Sequence, residues 1–506
     1  MAKLCLCLTG KTLGRNLEIL EKHRSRVDIA ELRVDFLEPD ERFLIRRFPE
    51  QAGLPVILTV RRSVDGGQFT GGEGARIILL SKGLAFAETD HRRNFAYVDL
   101  EEDLNVPSLE EAARTFGTRI IRSFHNIRGM ETDIAGKLQS LRQAGDEIAK
   151  VAVTPQNIAD LRRICLAAKS TMHVDKILIG MGHFGISTRV LAEHLGSCIS
   201  YVSPGEEPDI PGAAPGQFNV QEMADLYRFR NITAKTRIFG VTGYPLKVTA
   251  SPLFFNQVFA AEEVDAVYLP FPADSLEDFL DLAGEIGVEG VSVTVPYKEK
   301  LLPRLLSQSA EVKAVGACNT IVRSANGWLG YNTDAKGFSD SLLEFIGTSA
   351  PEDGRIIPAR NLRGKRITII GAGGAARAVA AEVYRLKGKA LILNRTTVKA
   401  RELAGRYHFA WGCIDNQGME LMYRFPDIII QTTPVGMEGG VEADPVPEYR
   451  FSGKEQVMDL IYKPERTIFL QRAADAGCAV LNGYDMLLRQ ARYQYGYFMG
   501  REFPFP

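Results

Sequence analysis

The chain has 506 residues, with 61 lysines and arginines against 62 aspartates and glutamates, 45% hydrophobic and 24% charged residues. That length exceeds what one core supports, so roughly two to four domains are expected. The balanced charge excludes the basic footprint of a nucleic-acid binder, and no apolar run is long enough to span a membrane.

The opening segment MAKLCLCLTG enters a strand-like run at once, without the composition of a secretory or transit leader. The expectation is a cytoplasmic protein, or a plastid one from which a leader has been removed. Seven cysteines follow no framework of spacings, and Cys5 and Cys7 lie too close along one strand face for a disulfide. The seven histidines form no HExxH or HxH pattern, so no metal site is predicted.

Apolar runs of strand length recur from residue 3 to about residue 202: LCLCLT, VDIAELRV, PVILTVR, FAYVDLE, TRIIRSF, IAKVAVT, ILIGMG and CISYVS. Helical stretches such as DLRRICLAAK lie between most of them, which predicts an α/β fold with an N-terminal TIM (β/α)8 barrel. Such barrels carry their chemistry at the C-terminal ends of the strands. Glu31 and Arg33 share a face late in the second strand, Arg61 ends the third, and Asp99 and Glu101 lie in the fourth. His125 ends the fifth, Lys150 lies in the sixth, and Arg189 follows the seventh.

A lone lysine in a strand usually snorkels to solvent, and a lone histidine is as often a core residue as a catalyst. If their side chains converge, these groups suit a small anionic ketone. A neutral amine attacks the carbonyl to give an iminium, and a nearby imidazole removes the adjacent proton and returns it to a departing hydroxyl.

Through ELRVD, TVR, RSFHN, KVAVTP, MGxxGxxTR and APGQ, residues 1–232 resemble the type I 3-dehydroquinate dehydratases. The resemblance implies that Lys150 is the Schiff-base lysine and His125 the general acid/base, with Asp99 as its partner. It also implies that Glu31, Arg33, Arg61, Arg189 and Gln217 hold the substrate's hydroxyls and carboxylate. Ala213 stands where the family usually has serine, which removes a hydrogen bond.

A fresh start at RIFGVTGYP puts a junction near residue 235. Strand-like runs VYLPF, VSVTVP and NTIVR come next, with Lys298 and Asp334 in the loops after them. Singly, the lysine reads as a solvated charge and the aspartate as a helix cap; beside a hydride carrier they form an acid/base pair. KRITIIGAGGAARAVAAEV then gives a strand, a turn with Gly371, Gly373 and Gly374, and a helix, the pattern that receives a pyrophosphate. About twenty residues on, Asn394, Arg395, Thr396 and Lys399 stand where an NAD enzyme places an acid, which favours NADP.

The segments SVTVPYKE, GACNT, YNTDAKG, QTTPVGM, MDLIYKPERT and NGYDMLLRQA resemble shikimate dehydrogenase over about residues 236–498. The resemblance implies a substrate-binding domain at 236–340, completed by 482–506, and a Rossmann NADP-binding domain at 362–481. Lys298 and Asp334 are then the catalytic dyad. Thr249, Ser251, Asn319, Thr320, Asn332 and Gln490 bind substrate; Gly371, Ala372, Gly373, Gly374, Ala375, Asn394, Arg395, Thr396, Lys399, Thr433, Gly436 and Met437 hold NADP. Departures fall at the loop GYPLKVTASP, at Ser292 and Gln431 in place of asparagines, and at Ala335 in place of glycine.

The resulting expectation is a bifunctional enzyme that dehydrates 3-dehydroquinate and reduces the product to shikimate with NADPH. The alternative is a fusion whose second domain oxidises quinate, and a binding protein with dead sites is disfavoured because both residue pairs are intact. Small-molecule substrates are the expected partners, with no nucleic acid and no membrane; oligomeric state is left open.

Overall fold

The eight apolar runs of the first half are strands in the computed structural model, which describes residues 1–84, 93–207, 209–246, 249–349 and 356–504. They are β1 (Lys3–Leu8), β2 (Ile29–Arg33), β3 (Val56–Thr59), β4 (Tyr97–Glu101), β5 (Arg119–Asn126), β6 (Ile148–Val153), β7 (Lys176–Gly180) and β8 (Ile199–Val202). From β1 to β7 each pairs in parallel with its sequence neighbour, β1 also pairs with β8, and β7 meets the segment leading into β8 at the bridge Lys176–Ser197. The strands therefore form a nearly closed ring.

Because side chains alternate along a strand, every second residue points into the ring. Ile29, Ile57, Ile121, Ile148, Ile177 and Ile199 pack there with Cys5 as an apolar floor. Two residues further along their strands come Glu31, Thr59, Ser123 and Lys150. Those groups thus stand on a dry base, facing the end of the barrel where the strands finish.

The first compact unit, Met1–Glu289, extends beyond the ring. Its added part pairs β9 (Arg237–Gly243) in parallel with β10 (Ala266–Pro272). The helix Leu276–Ile286 packs on the barrel helix Ile158–Ser170. Arg162 joins Glu285 at 2.7 Å and Asp281 at 3.1 Å across that contact. The change of sheet near residue 235 is therefore not the edge of a compact unit, because β9, β10 and their helix are docked on the barrel.

The second unit, Gly290–Pro506, opens inside the strand Val288–Val293, which pairs antiparallel with Thr320–Ser324. The helix Thr333–Phe345 lies against the long helix Tyr484–Met499. Between them in the chain is a six-stranded parallel sheet, with its first strand Arg366–Ile370 between the second and the fourth. The order third, second, first, fourth, fifth, sixth is that of a doubly wound dinucleotide fold. Among the described residues no helix is long and apolar enough to cross a membrane.

The turn after β7 depends on two glycines packed face to face: a Cβ on Gly185 would overlap the carbonyl carbon of Gly180. Gly185→Ala should cost about 1–3 kcal/mol as an overpacking substitution. Gly14→Ala, at a position with open space around it, should cost nothing. Thermal unfolding of the two variants checks the contrast.

Candidate active sites

At the C-terminal end of the barrel strands lies a cavity of about 360 Å³ whose wall includes Glu31, Arg33, Arg61, His125, Lys150, Arg189 and Gln217. Every barrel residue expected from the sequence to act or to bind is therefore on one surface. Lys150 is the third residue of β6, so its amine rises from the strand's middle.

The amine is paired with a carboxylate. Its Nζ lies 2.8 Å from Asp99 Oδ2, and Arg61 Nη2 lies 2.8 Å from the same oxygen. Ser123 donates to Asp99 Oδ1 at 2.5 Å, and Arg61 also pairs with Glu101 at 2.6 Å. Burial pushes the Asp99 carboxyl up, but Arg61, Lys150 and His125 outweigh it and hold it well below the usual carboxylate range. Asp99 is therefore a fixed anion anchoring Lys150. It does not hydrogen-bond His125, because Lys150, Arg61 and Ser123 occupy its oxygens.

His125 borders the cavity with its Nδ1 sealed from solvent and unpartnered. Burial, with Arg61 and Lys150 nearby, holds its pKa well below that of an ordinary imidazole, so the ring is neutral and able to accept a proton. Arg189 Nε, Tyr201 Oη and Gln217 Oε1 are likewise buried without a partner. Buried polar atoms are normally satisfied, so four orphans around one cavity mark a place for a polar ligand.

The cations differ in what they lack. Arg33 holds Asp35 through two bonds of 2.9 and 2.7 Å, and Arg61 has two carboxylates. Arg189 has only the carbonyls of Tyr201 and Pro215, at 3.5 and 3.4 Å. Burial lowers its pKa to about 10, which leaves it charged at neutral pH. A buried guanidinium without a carboxylate is a receptor for an anion.

Cys7 and Tyr201 also line the cavity, and sequence reasoning missed them. Cys7 Sγ donates to Glu31 Oε2 and accepts from Gln217 Nε2, both at 3.2 Å, and the amine of Lys150 lies 4.5 Å from the Tyr201 ring centre. Their inward strand positions were the available signal. Ala213 lines the same wall.

In the second unit Lys298 Nζ and Asp334 Oδ2 stand 2.5 Å apart. Asn319 donates to Asp334 Oδ1 at 2.8 Å and to Thr333 at 2.9 Å, and Thr320 donates to Asn319 at 2.9 Å. Gln490, on the helix Tyr484–Met499, accepts from Asn319 at 3.4 Å. Its neighbour one turn on, Gln494, accepts from Ser292 at 2.8 Å and donates to Thr320 at 2.9 Å. Gln494 was not expected from the sequence, although a glutamine four residues from Gln490 shares its helix face.

Asn332 has a different occupation. Its side chain caps the helix Thr333–Phe345 through Ala335 N and donates to Ala317 O at 2.8 Å. Thr249 and Ser251 bond each other at 3.2 Å within the first unit, while Lys247 and Val248 of that loop lie outside the described residues. Ala335 is buried beside Val315, Ala317, Ala378 and Ala381, so its methyl group has a packed place.

The glycine turn fits a dinucleotide. Gly371 has φ +117°, and a Cβ there would run into Thr432 Oγ1, whereas Gly373 and Gly374 face open space. Ala372 and Ala375 flank them, and the helix Gly374–Arg385 begins with no side-chain cap and no acid in its first turn. Its free N–H groups suit a pyrophosphate. Asn394 braces Thr396 O at 2.9 Å, and Arg395, just past the second strand, and Lys399, in the first turn of the helix Thr397–Gly405, are exposed. Gln431 donates to Thr433 O at 2.9 Å and Val435 O at 3.0 Å, holding the loop that leads to Gly436 and Met437.

Residues 4–234 match the type I 3-dehydroquinase family and residues 241–321 the shikimate dehydrogenase substrate binding domain. The chloroplastic bifunctional 3-dehydroquinate dehydratase/shikimate dehydrogenase of Arabidopsis thaliana is 29% identical over 96% of this chain and 80% of its own length. The NADP(+) shikimate dehydrogenase of Moorella thermoacetica is 38% identical over 54% of this chain and 91% of its own. That of Caldanaerobacter subterraneus is 35% identical, covering 54% and 95%.

A barrel lyase joined to a nicotinamide-dependent oxidoreductase is the class that the two halves define. The chain belongs to the shikimate dehydrogenase family, with a type I 3-dehydroquinase domain ahead of it. It is thus a bifunctional shikimate-pathway enzyme, NADP-dependent in its second activity.

The depressed pKa of His125 fixes the sign of a pH effect. The ring should stay neutral from pH 8 down to below about 6.5 and take up a proton only under that. An NMR titration of the His125 ring checks it; a midpoint above 6.5 would contradict the buried neutral ring.

Proposed function

We propose that Lys150 and His125 carry the dehydration of 3-dehydroquinate, and that Lys298 and Asp334 carry the NADPH-dependent reduction of 3-dehydroshikimate to shikimate. The observation that carries the first half is the buried amine beside four orphaned polar atoms and an unpaired Arg189. Arg189 receives the substrate carboxylate, Gln217 and Glu31 its hydroxyls, and Arg33 and Arg61 hold the acidic wall in register.

The Lys150 amine, once deprotonated, adds to the ketone carbon, and loss of water leaves an iminium that acidifies the adjacent C–H. His125 takes that proton and returns it to the departing hydroxyl, which leaves as water; hydrolysis of the iminium frees the amine and the enone product. Asp99 keeps the amine aimed at the cavity throughout.

In the reductase, bound NADPH supplies a hydride to the ketone. Lys298 gives a proton to the oxygen as negative charge develops there, and Asp334 holds the ammonium in place. Asn319, Thr320 and Gln490 lie around the dyad as hydroxyl partners, and Gln494 fixes them from behind. Gly371 to Ala375 receive the pyrophosphate, and Arg395 and Lys399 the 2′-phosphate. Asn332 supports this site from beneath as a cap.

We place the protein in the cytoplasm or a plastid stroma. All seven cysteines are free, as a reducing compartment keeps them.

An absorbance assay at the enone band tests the scheme: the band should rise with 3-dehydroquinate and fall when NADPH is added. Lys150→Ala should abolish the rise, and with it the borohydride-trapped adduct, while leaving reduction of 3-dehydroshikimate intact. Arg395→Ala should raise KM for NADPH at least about tenfold more than for NADH, as expected for losing a charge-assisted phosphate contact. An unchanged ratio would remove Arg395 from the phosphate site.

A further inference from the structure

Arg189 sits on a short turn whose outer side is covered from beyond the ring of eight strands. That turn comprises two one-turn helices, Gly182–Gly185 and Ser187–Val190, and β10 packs against both. Phe184, only 9% exposed, stacks on Tyr244, with ring centres 6.1 Å apart and planes 19° apart. His183 meets the edge of Phe184 at 5.6 Å. Tyr244 directly succeeds β9, and its hydroxyl makes no hydrogen bond with a described residue, so its ring is what it contributes.

The same turn is seated on the loop beyond β8. Gly182 N donates to Pro215 O at 3.2 Å, and Arg189 Nη2 reaches that oxygen at 3.4 Å. Pro215 O thus seats the turn and its guanidinium together, so pressure on Phe184 bears on Arg189. Docking of the added lobe does not rest on the stack: Arg162 with Glu285 and Asp281, and His194 with Thr236 O at 3.0 Å, hold it elsewhere.

We propose that Tyr244 is a positioning residue for the dehydratase: by clamping Phe184 it holds the Arg189 turn at the cavity, so part of the barrel's grip on its substrate comes from the reductase's own lobe. This rests on the reading of Arg189 as carboxylate receptor given above. The effect belongs to binding, since neither ring touches the amine or the imidazole.

The full-length chain is used for the test, with initial rates of enone formation from 3-dehydroquinate. Tyr244→Ala should raise KM about 5-fold, the scale of one aromatic pair, with kcat within about twofold of wild type. Tyr244→Phe should restore the wild-type KM. In an Arg189→Ala background Tyr244→Ala should add nothing, because the clamp acts through that guanidinium. Phe184→Leu reaches the contact from the barrel side and should reproduce the KM rise, which covers the case of a Tyr244→Ala chain that does not fold.

A KM unchanged in both single variants, a further rise on top of Arg189→Ala, or a loss confined to kcat would overturn the proposal. Failure of the wild-type chain to dehydrate 3-dehydroquinate would instead overturn the dehydratase reading itself.

Discussion

Asp99 is fully enclosed, and its two oxygens hold Lys150, Arg61 and Ser123 at once. Without that carboxylate the lysine would lose its ion-pair partner above the barrel's isoleucine floor, and Arg61 would be left with Glu101 alone to offset its desolvation. Arg61 passes the compensation on to Glu101, which also meets Arg76. The cavity's cations are thereby balanced in pairs, and Arg189 is left over. An anionic substrate completes the set, which explains why the site is charged, buried and still receptive.

The reductase centre is ordered differently. Its dyad is partly open, and its order comes from neutral groups: Asn319 is held by Thr320 and Gln490, and Gln494 ties Thr320 to Ser292. A hydrogen-bonded web of amides and hydroxyls adds no net charge beside Lys298. The departures from the family pattern are absorbed locally. Ser292 finds Gln494, Gln431 braces the backbone at Thr433 and Val435, and Ala335 fits among small side chains.

Much of this was legible in the sequence because it derives from alternation. On four of the strands an isoleucine of the barrel floor is succeeded two residues later by an inward polar group, and the eight runs needed only that periodicity. Lys150 and His125 were found by position on their strands. Pairings were not legible: which oxygen of Asp99 meets which cation depends on strand register across the ring, so the expected bond to His125 is replaced by bonds to Lys150, Arg61 and Ser123. Asn332 resembles a ligand in the sequence, although an asparagine opening Asn-Thr-Asp before a helix has a local use as a cap. Unpartnered polar atoms such as Tyr201 Oη and Gln217 Oε1 appear only in three dimensions.

The ring of strands also has a join. Seven neighbouring pairs are stitched by runs of paired residues, but among the described residues β7 is bridged to the segment leading into β8 by the single pair Lys176–Ser197. The turn after β7 carries Arg189, and the loop beyond β8 carries Gln217. Arg189 and Gln217 thus stand on opposite sides of the least-laced line in the barrel. What ties them across that line is no ladder but the carbonyl of Pro215, which accepts from Gly182 N and from Arg189, while Lys150, one strand from the join, is anchored away from it by Asp99 on β4.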